Sequence, residues 1–287
     1  MERIQVNGAG IEVQRLPGPD GRRRAPIIFL HEGLGSVAMW RDWPARVCAD
    51  TGRAGIVYSR RGYGLSDPVP DVRGAGRLGP DYMHREAYEV LPELLRQLGI
   101  ESPVLLGHSD GGTIALLYAS RFPVNACIVM APHVIVEDRS VESIAAARQA
   151  YESGELKERL QRYHADVDVA FWQWNDIWLA PAFRDFDIRA QCRLITAPVL
   201  AIQGEDDPYG TLRQIDEIVP AGPLTKEVLP RCGHSPHRDQ PELATQAIVG
   251  FLQAFEARGR GQDSARAEQS NPVHPELVEG LTTRRSP

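Results

Sequence analysis

The apolar residues of this chain form short runs and longer stripes that take turns along the sequence. Residues 26–30 (PIIFL), 54–58 (AGIVY), 103–106 (PVLL), 126–130 (ACIVM) and 198–202 (PVLAI) are short, apolar and followed by turn residues. Runs of this kind predict strands buried on both faces, as in a parallel sheet. Residues 11–16 read as an edge strand, and 226–229 as another. Between the runs lie helical patterns. Residues 82–98 place Ala87, Val90, Leu91, Leu94, Leu95 and Leu98 at helical spacing, with Pro92 predicting a kink or a late start. Residues 113–121 continue from the third run as a helix. Strands alternating with helices predict an α/β fold, a mostly parallel sheet with helices on both faces.

Two stretches break this rhythm. Residues 133–193 are helical in pattern and hold Phe171, Trp172, Trp174, Trp178, Phe183 and Phe186. They read as a helical insertion over one end of the sheet, between core segments 1–132 and 194–257. Most of these rings are expected to pack the insertion onto the core. Trp172, Trp174 and Trp178 are the candidates for lining a substrate pocket. Residues 258–287 carry no apolar stripe. Too little burial is available there to offset ordering entropy, so disorder is expected.

Composition narrows the classes. The chain has 287 residues, is 43% hydrophobic and carries a net charge of −6. That suits a globular protein and disfavours nucleic acid, which calls for a basic face. The basic runs at Arg22, Arg23 and Arg24 and at Arg60 and Arg61 read as solvated loops. No stretch approaches the ~20 apolar residues of a membrane span, and MERIQVNGAG lacks the build of a signal peptide. A cytoplasmic protein with a small-molecule substrate is expected, with no membrane partner and a homodimer left open. The four cysteines show no metal-ligand spacing and read as partly buried free thiols. No metal or organic cofactor is called for.

Chemistry is concentrated in Gly107-His108-Ser109-Asp110-Gly111, a G-x-S-x-G with a strand before it and a helix after it. A nucleophile at a sharp strand-to-helix turn projects its oxygen beyond the sheet. Crowding at the turn demands glycine on either side. A serine hydroxyl needs a base. His234, in a loop after residues 226–229, is the candidate, and His237 is its nearest competitor. His108 reads as structural. The base needs a carboxylate to orient it. Gly204-Glu205-Asp206-Asp207-Pro208 offers Asp207, with Asp206 next. The chain order is then nucleophile, acid, base, as this kind of elbow expects. Backbone donors must meet the oxyanion. The N–H of Asp110 is one candidate. The N–H of Gly33, in His31-Glu32-Gly33-Leu34-Gly35, is the other.

These motifs, together with the Arg61-Gly62-Tyr63-Gly64-Leu65-Ser66 turn, resemble the α/β-hydrolase superfamily over about residues 6–255. The resemblance implies an eight-stranded sheet and a helical cap between its sixth and seventh strands. It implies a serine hydrolase acting through an acyl-enzyme. A C–C bond hydrolase, an enol-lactonase or a non-catalytic ligand sensor are the alternatives on the same fold. Serine at the elbow argues against carboxylate-nucleophile chemistry. Two positions depart from the pattern: Glu32 stands for the usual Gly, and Ser59 for a common Asp. Glu32, Asp110 and Asp206 together suggest an acidic rim, with Glu32 a pocket candidate. Such a rim would favour neutral or cationic esters unless Arg60, Arg184 or Arg189 offsets it.

Overall fold

The computed structural model describes residues 1–19 and 24–269. Strands β1 (Glu2–Val6), β2 (Ala9–Leu16), β3 (Ile27–Leu30), β4 (Gly55–Tyr58), β5 (Val104–His108), β6 (Ala126–Met130), β7 (Val199–Gly204) and β8 (Leu224–Leu229) form one sheet, in the order β1-β2-β4-β3-β5-β6-β7-β8. The first two run antiparallel to their neighbours. All other pairings are parallel.

Every residue of β3, β4, β5, β6 and β7 is buried. That follows from helices on both faces. Ile28, Leu30 and Leu105 face the cluster shared with α3 (Leu91–Leu98) and α4 (Asp110–Ala119). Ile27, Phe29 and Leu106 face the cluster shared with α1 (Trp43–Thr51) and α11 (Pro241–Gln269). Side chains alternate across a strand, so one short apolar run serves both cores.

Strand β1 was not expected. Asn7 (φ 49°) and Gly8 (φ 79°) join it to β2. An Asn-Gly pair with two positive φ angles makes the tight hairpin turn whose twist suits flanking strands. The helical stripe at 82–98 forms as α2 (Tyr82–Arg85), a π turn at Glu86–Val90, and α3. The wide turn ends two residues before Pro92, whose ring would press on an earlier carbonyl in a regular helix.

Helices α5 (Asp138–Glu152), α6 (Glu155–Leu160), α7 (Val167–Trp178) and α8 (Arg189–Cys192) stand between β6 and β7. Short helices α9 (Arg213–Asp216) and α10 (Pro236–Asp239) flank β8. The last helix, α11, runs to Gln269 and takes up the first twelve residues of the stretch expected to be disordered. Arg, Gln, Ala and Glu there are good helix formers, and elongating a formed helix is easier than starting one. Residues 20–23, with Arg22 and Arg23, and the tail at 270–287 lie outside the described residues. All four cysteines are free and buried. Among the described residues, no helix is long and apolar enough to cross a membrane.

Candidate active site

The sheet's carboxyl edge brings the predicted residues together. Strand β5 ends at His108, and Ser109 follows at φ 53° and ψ −119° before α4 begins. That conformation is costly for a residue with a Cβ. The Ser109 N–H donates to the Met130 carbonyl at 2.9 Å, and the Thr113 N–H donates to the Ser109 carbonyl at 3.0 Å. A Cβ on Gly107 would run into the Gly111 carbonyl, and one on Gly111 into the Leu30 carbonyl. Both glycines are therefore required by close backbone approach.

His234 Nε2 lies 2.9 Å from Ser109 Oγ, and His234 Nδ1 lies 2.9 Å from both oxygens of Asp207. A carboxylate accepts only, so Nδ1 carries the proton and Nε2 is free to accept from the serine hydroxyl. The Asp207 side chain also accepts the Tyr209 N–H at 2.8 Å and the Gln203 amide at 2.6 Å. Burial alone would raise its pKa. Hydrogen bonding to His234, that ring's charge and the Tyr209 N–H outweigh burial and hold it below the ordinary value. Asp206 is exposed, with its N–H donated to the Cys232 carbonyl, so Asp207 is the carboxylate that meets His234. His237 packs against Trp40 and Trp43 at 4.7 and 5.4 Å. His234 therefore holds the position by the serine.

The N–H groups of Gly33 and Asp110 have no acceptor among the described residues. Trp174 lies over Gly33 so closely that a Cβ there would meet its indole nitrogen. Trp178 packs edge-on to His133 at 4.8 Å, and the His133 ring sits 5.7 Å from that of His234. Trp172 is placed differently. Its ring lies under the guanidinium groups of Arg73 (3.9 Å) and Arg148 (5.3 Å), both of which pair with Asp176. It clasps the 59–81 loop to the insertion.

The acidic rim dissolves in the structure. Asp110 is buried, accepts the Tyr82 hydroxyl at 2.7 Å and lies 3.7 Å from the Arg60 guanidinium. Burial raises its pKa, with Arg60 opposing. The Trp178 indole N–H donates to the same Tyr82 hydroxyl at 3.0 Å. Glu32 points the other way, 3.6 Å from both His108 Nδ1 and Arg238. Burial would raise its pKa, but the imidazole of His108 and the Arg238 guanidinium beside it bring it well below the usual range. Glu32 therefore braces the back of the elbow, because His108 Nε2–H donates to the His234 carbonyl at 2.6 Å. Arg60 alone of the three proposed arginines reaches the elbow. Arg184 pairs with Asp138, and Arg189 with Asp187 and Glu217. The other departure is also accommodated. Ser59 accepts the Val37 N–H at 2.9 Å and donates to the buried Glu12 carboxylate at 2.7 Å, and that carboxylate also takes the Leu65 N–H.

Sequence reasoning missed Tyr82, His133, Gln203 and Tyr209. None belongs to a motif. Tyr209, two residues beyond the acid, sets its ring 4.6 Å from that of His234.

The fold agrees with comparison to known proteins. The chain belongs to the alpha/beta hydrolase family, whose model matches residues 27–247. It is 26% identical over 273 residues to a bifunctional esterase/perhydrolase of Acinetobacter calcoaceticus, covering 82% of this chain and 94% of that one. Among solved structures, a thermophilic esterase from Thermogutta terrifontis matches at TM-score 0.66 and 19% identity, over 89% of this chain and 99% of that one. An enol-lactonase from Burkholderia xenovorans matches at TM-score 0.66 and 20% identity, over 88% and 99%. The protein is a hydrolase of this family.

Proposed function

We propose that the chain is a serine hydrolase that cleaves an ester-type acyl bond of a small molecule through an acyl-enzyme intermediate. The observation that carries this reading is the unbroken chain from Ser109 Oγ through His234 to Asp207, with 2.9 Å at each link. Ser109 attacks the carbonyl carbon while His234 Nε2 takes its proton. Asp207 keeps His234 in the required tautomer and stabilises the imidazolium. The oxyanion is met by the N–H groups of Gly33 and Asp110, the latter at the start of α4, where the helix dipole favours negative charge. His234 returns its proton to the leaving alkoxide. It then activates water, which releases the acid and restores Ser109. The esterase among the relatives is in keeping with this chemistry.

Glu32 and Asp110 are each matched by cationic partners, so they do not select for neutral or cationic esters. Trp174, which lies over Gly33, favours an apolar acyl or alcohol portion, whereas Trp178 is fully buried against His133 and Phe183. A fluorophosphonate probe tests the proposal. Covalent capture by the wild-type chain and none by Ser109→Ala is expected. Ligand binding without capture would instead mark a sensor.

A further inference from the structure

The 59–81 loop, the Gly33 loop and the insertion meet at two imidazoles. His31 Nε2 accepts the Arg60 N–H at 3.0 Å, and its Nδ1–H donates to the Glu32 carbonyl at 2.7 Å. His164 does the same with its nitrogens exchanged. Nδ1 accepts the Gly64 N–H at 3.0 Å, and Nε2–H donates to the Leu34 carbonyl at 3.0 Å. A backbone N–H only donates and a carbonyl only accepts, so each tautomer follows from its partners. Both rings stand edge-on to Tyr63, at 5.1 and 6.1 Å. Burial lowers the pKa of both, with Arg60 adding to the effect at His31. Each ring therefore stays neutral, the form in which one nitrogen accepts while the other donates.

This pairing bears on the Gly33 N–H. A trans peptide is planar, so its carbonyl and N–H point in opposite directions. The Glu32 carbonyl accepts from His31, from Arg60 Nη2 at 2.9 Å and from the Gly35 N–H at 3.1 Å. The peptide that ends in the Gly33 N–H is thus held from its carbonyl side. The Gly35 N–H belongs to the next held peptide, whose carbonyl is that of Leu34. Among the described residues, only His164 donates to that carbonyl. The insertion is tied in at the same point, since the Ala165 N–H donates to the Gly64 carbonyl at 2.8 Å.

We propose that His164 is a positioning residue of the oxyanion loop: reaching from the insertion, it pins the Leu34 carbonyl and so sets the aim of the Gly33 N–H. This rests on Ser109 being the nucleophile of a serine hydrolase. It adds that the insertion acts on the chemistry through the geometry of a loop, without His164 touching substrate.

The test compares three full-length variants on p-nitrophenyl acetate and on a trifluoromethyl ketone that mimics the tetrahedral intermediate. His164→Phe keeps a ring against Tyr63 and loses both hydrogen bonds. His164→Gln keeps an acceptor and a donor in one amide. His164→Asn keeps the acceptor for Gly64 and loses the reach to Leu34. His164→Phe and His164→Asn should lower kcat about tenfold, less than the ~10²–10³ of a deleted oxyanion donor. KM should stay within twofold, and ketone affinity should fall by the same factor as kcat. His164→Gln should recover most of both losses. A kcat within twofold of wild type for His164→Asn overturns the proposal. So does a loss carried mainly by KM, or a Gln variant no better than Asn. Should His164→Phe not fold, the Asn and Gln pair decides alone. Ser109→Ala separates the two levels. If it still turns over, the hydrolase reading itself is wrong; if it is inactive while His164→Asn is unimpaired, only the positioning role fails.

Discussion

The two sides of this site are built by different means. On the core side, the elbow is made by the backbone. Ser109 is held at positive φ, Gly107 and Gly111 are demanded by close approach, and the acid and base come from loops at strand ends. On the insertion side, the structure is made by side chains. Trp174 covers Gly33, Tyr151 stacks on Phe171 at 3.7 Å, and Arg73 lies on Trp172 while pairing with Asp176. Backbone geometry leaves few alternatives, so changes on the core side should act on chemistry in an all-or-none way. Side-chain packing is adaptable, so changes in the insertion should give graded losses of stability or alignment.

The largest expected effect is Ser109→Ala, which should lower kcat by about 10⁶-fold with the fold retained. A loss under a hundredfold would sink the assignment. Asp207→Asn should follow at about 10⁴-fold, from a wrong tautomer on His234. Asp206→Asn, exposed beside it, should stay within twofold under the same assay. On the insertion side, Trp174→Ala should cost about 3–5 kcal/mol in urea unfolding, the range for a buried aromatic. A cost below about 1 kcal/mol would show that the insertion is not packed as described.

Acid should act on the histidines at the junction of the two sides. Burial, with His234 beside it, brings His133 down to about 3, and His31, His164 and His237 are lowered too. The unfolded chain takes up these protons near pH 6.5, whereas the folded chain resists them. Their stabilising effect is therefore complete above about pH 6.5 and is lost as pH falls toward 3. Each such histidine contributes up to about 1.4 kcal/mol per pH unit in that window. The urea midpoint should drop between pH 7 and pH 5, and an unchanged midpoint would contradict neutral buried rings. The smallest effect is expected for Arg73→Ala. Its side chain is half exposed, so losing the Trp172 and Asp176 contacts should cost about 0.5–1 kcal/mol.

What could be read from sequence divides along the same line. Ser109, Asp207 and His234 were legible because a strained turn dictates its neighbours and the loops follow strands in order. The strands were legible because both faces are buried. Side-chain partners were not. Asp110 and Glu32 looked like free acids because Tyr82, Arg60 and Arg238 lie far off in sequence. His164 carries no motif, and its partners Gly64 and Leu34 are 100 and 130 residues away. Trp172 could have been set apart. Phe171, Trp174 and Trp178 share one helical face by their spacing, and Trp172 does not. The Asn7-Gly8 signal for β1 was also available and passed over.

Burial pushes the Cys48, Cys192 and Cys232 thiols up to about 12 and raises Cys127 as well. Since the thiolate is the reactive form, less than about one in 10⁴ of each is available near neutral pH. Peroxide or disulfide stress that disables thiol-dependent enzymes should find no reactive thiol among the buried cysteines of the folded protein. Its turnover should therefore be unchanged by reagents that block or oxidise exposed thiols.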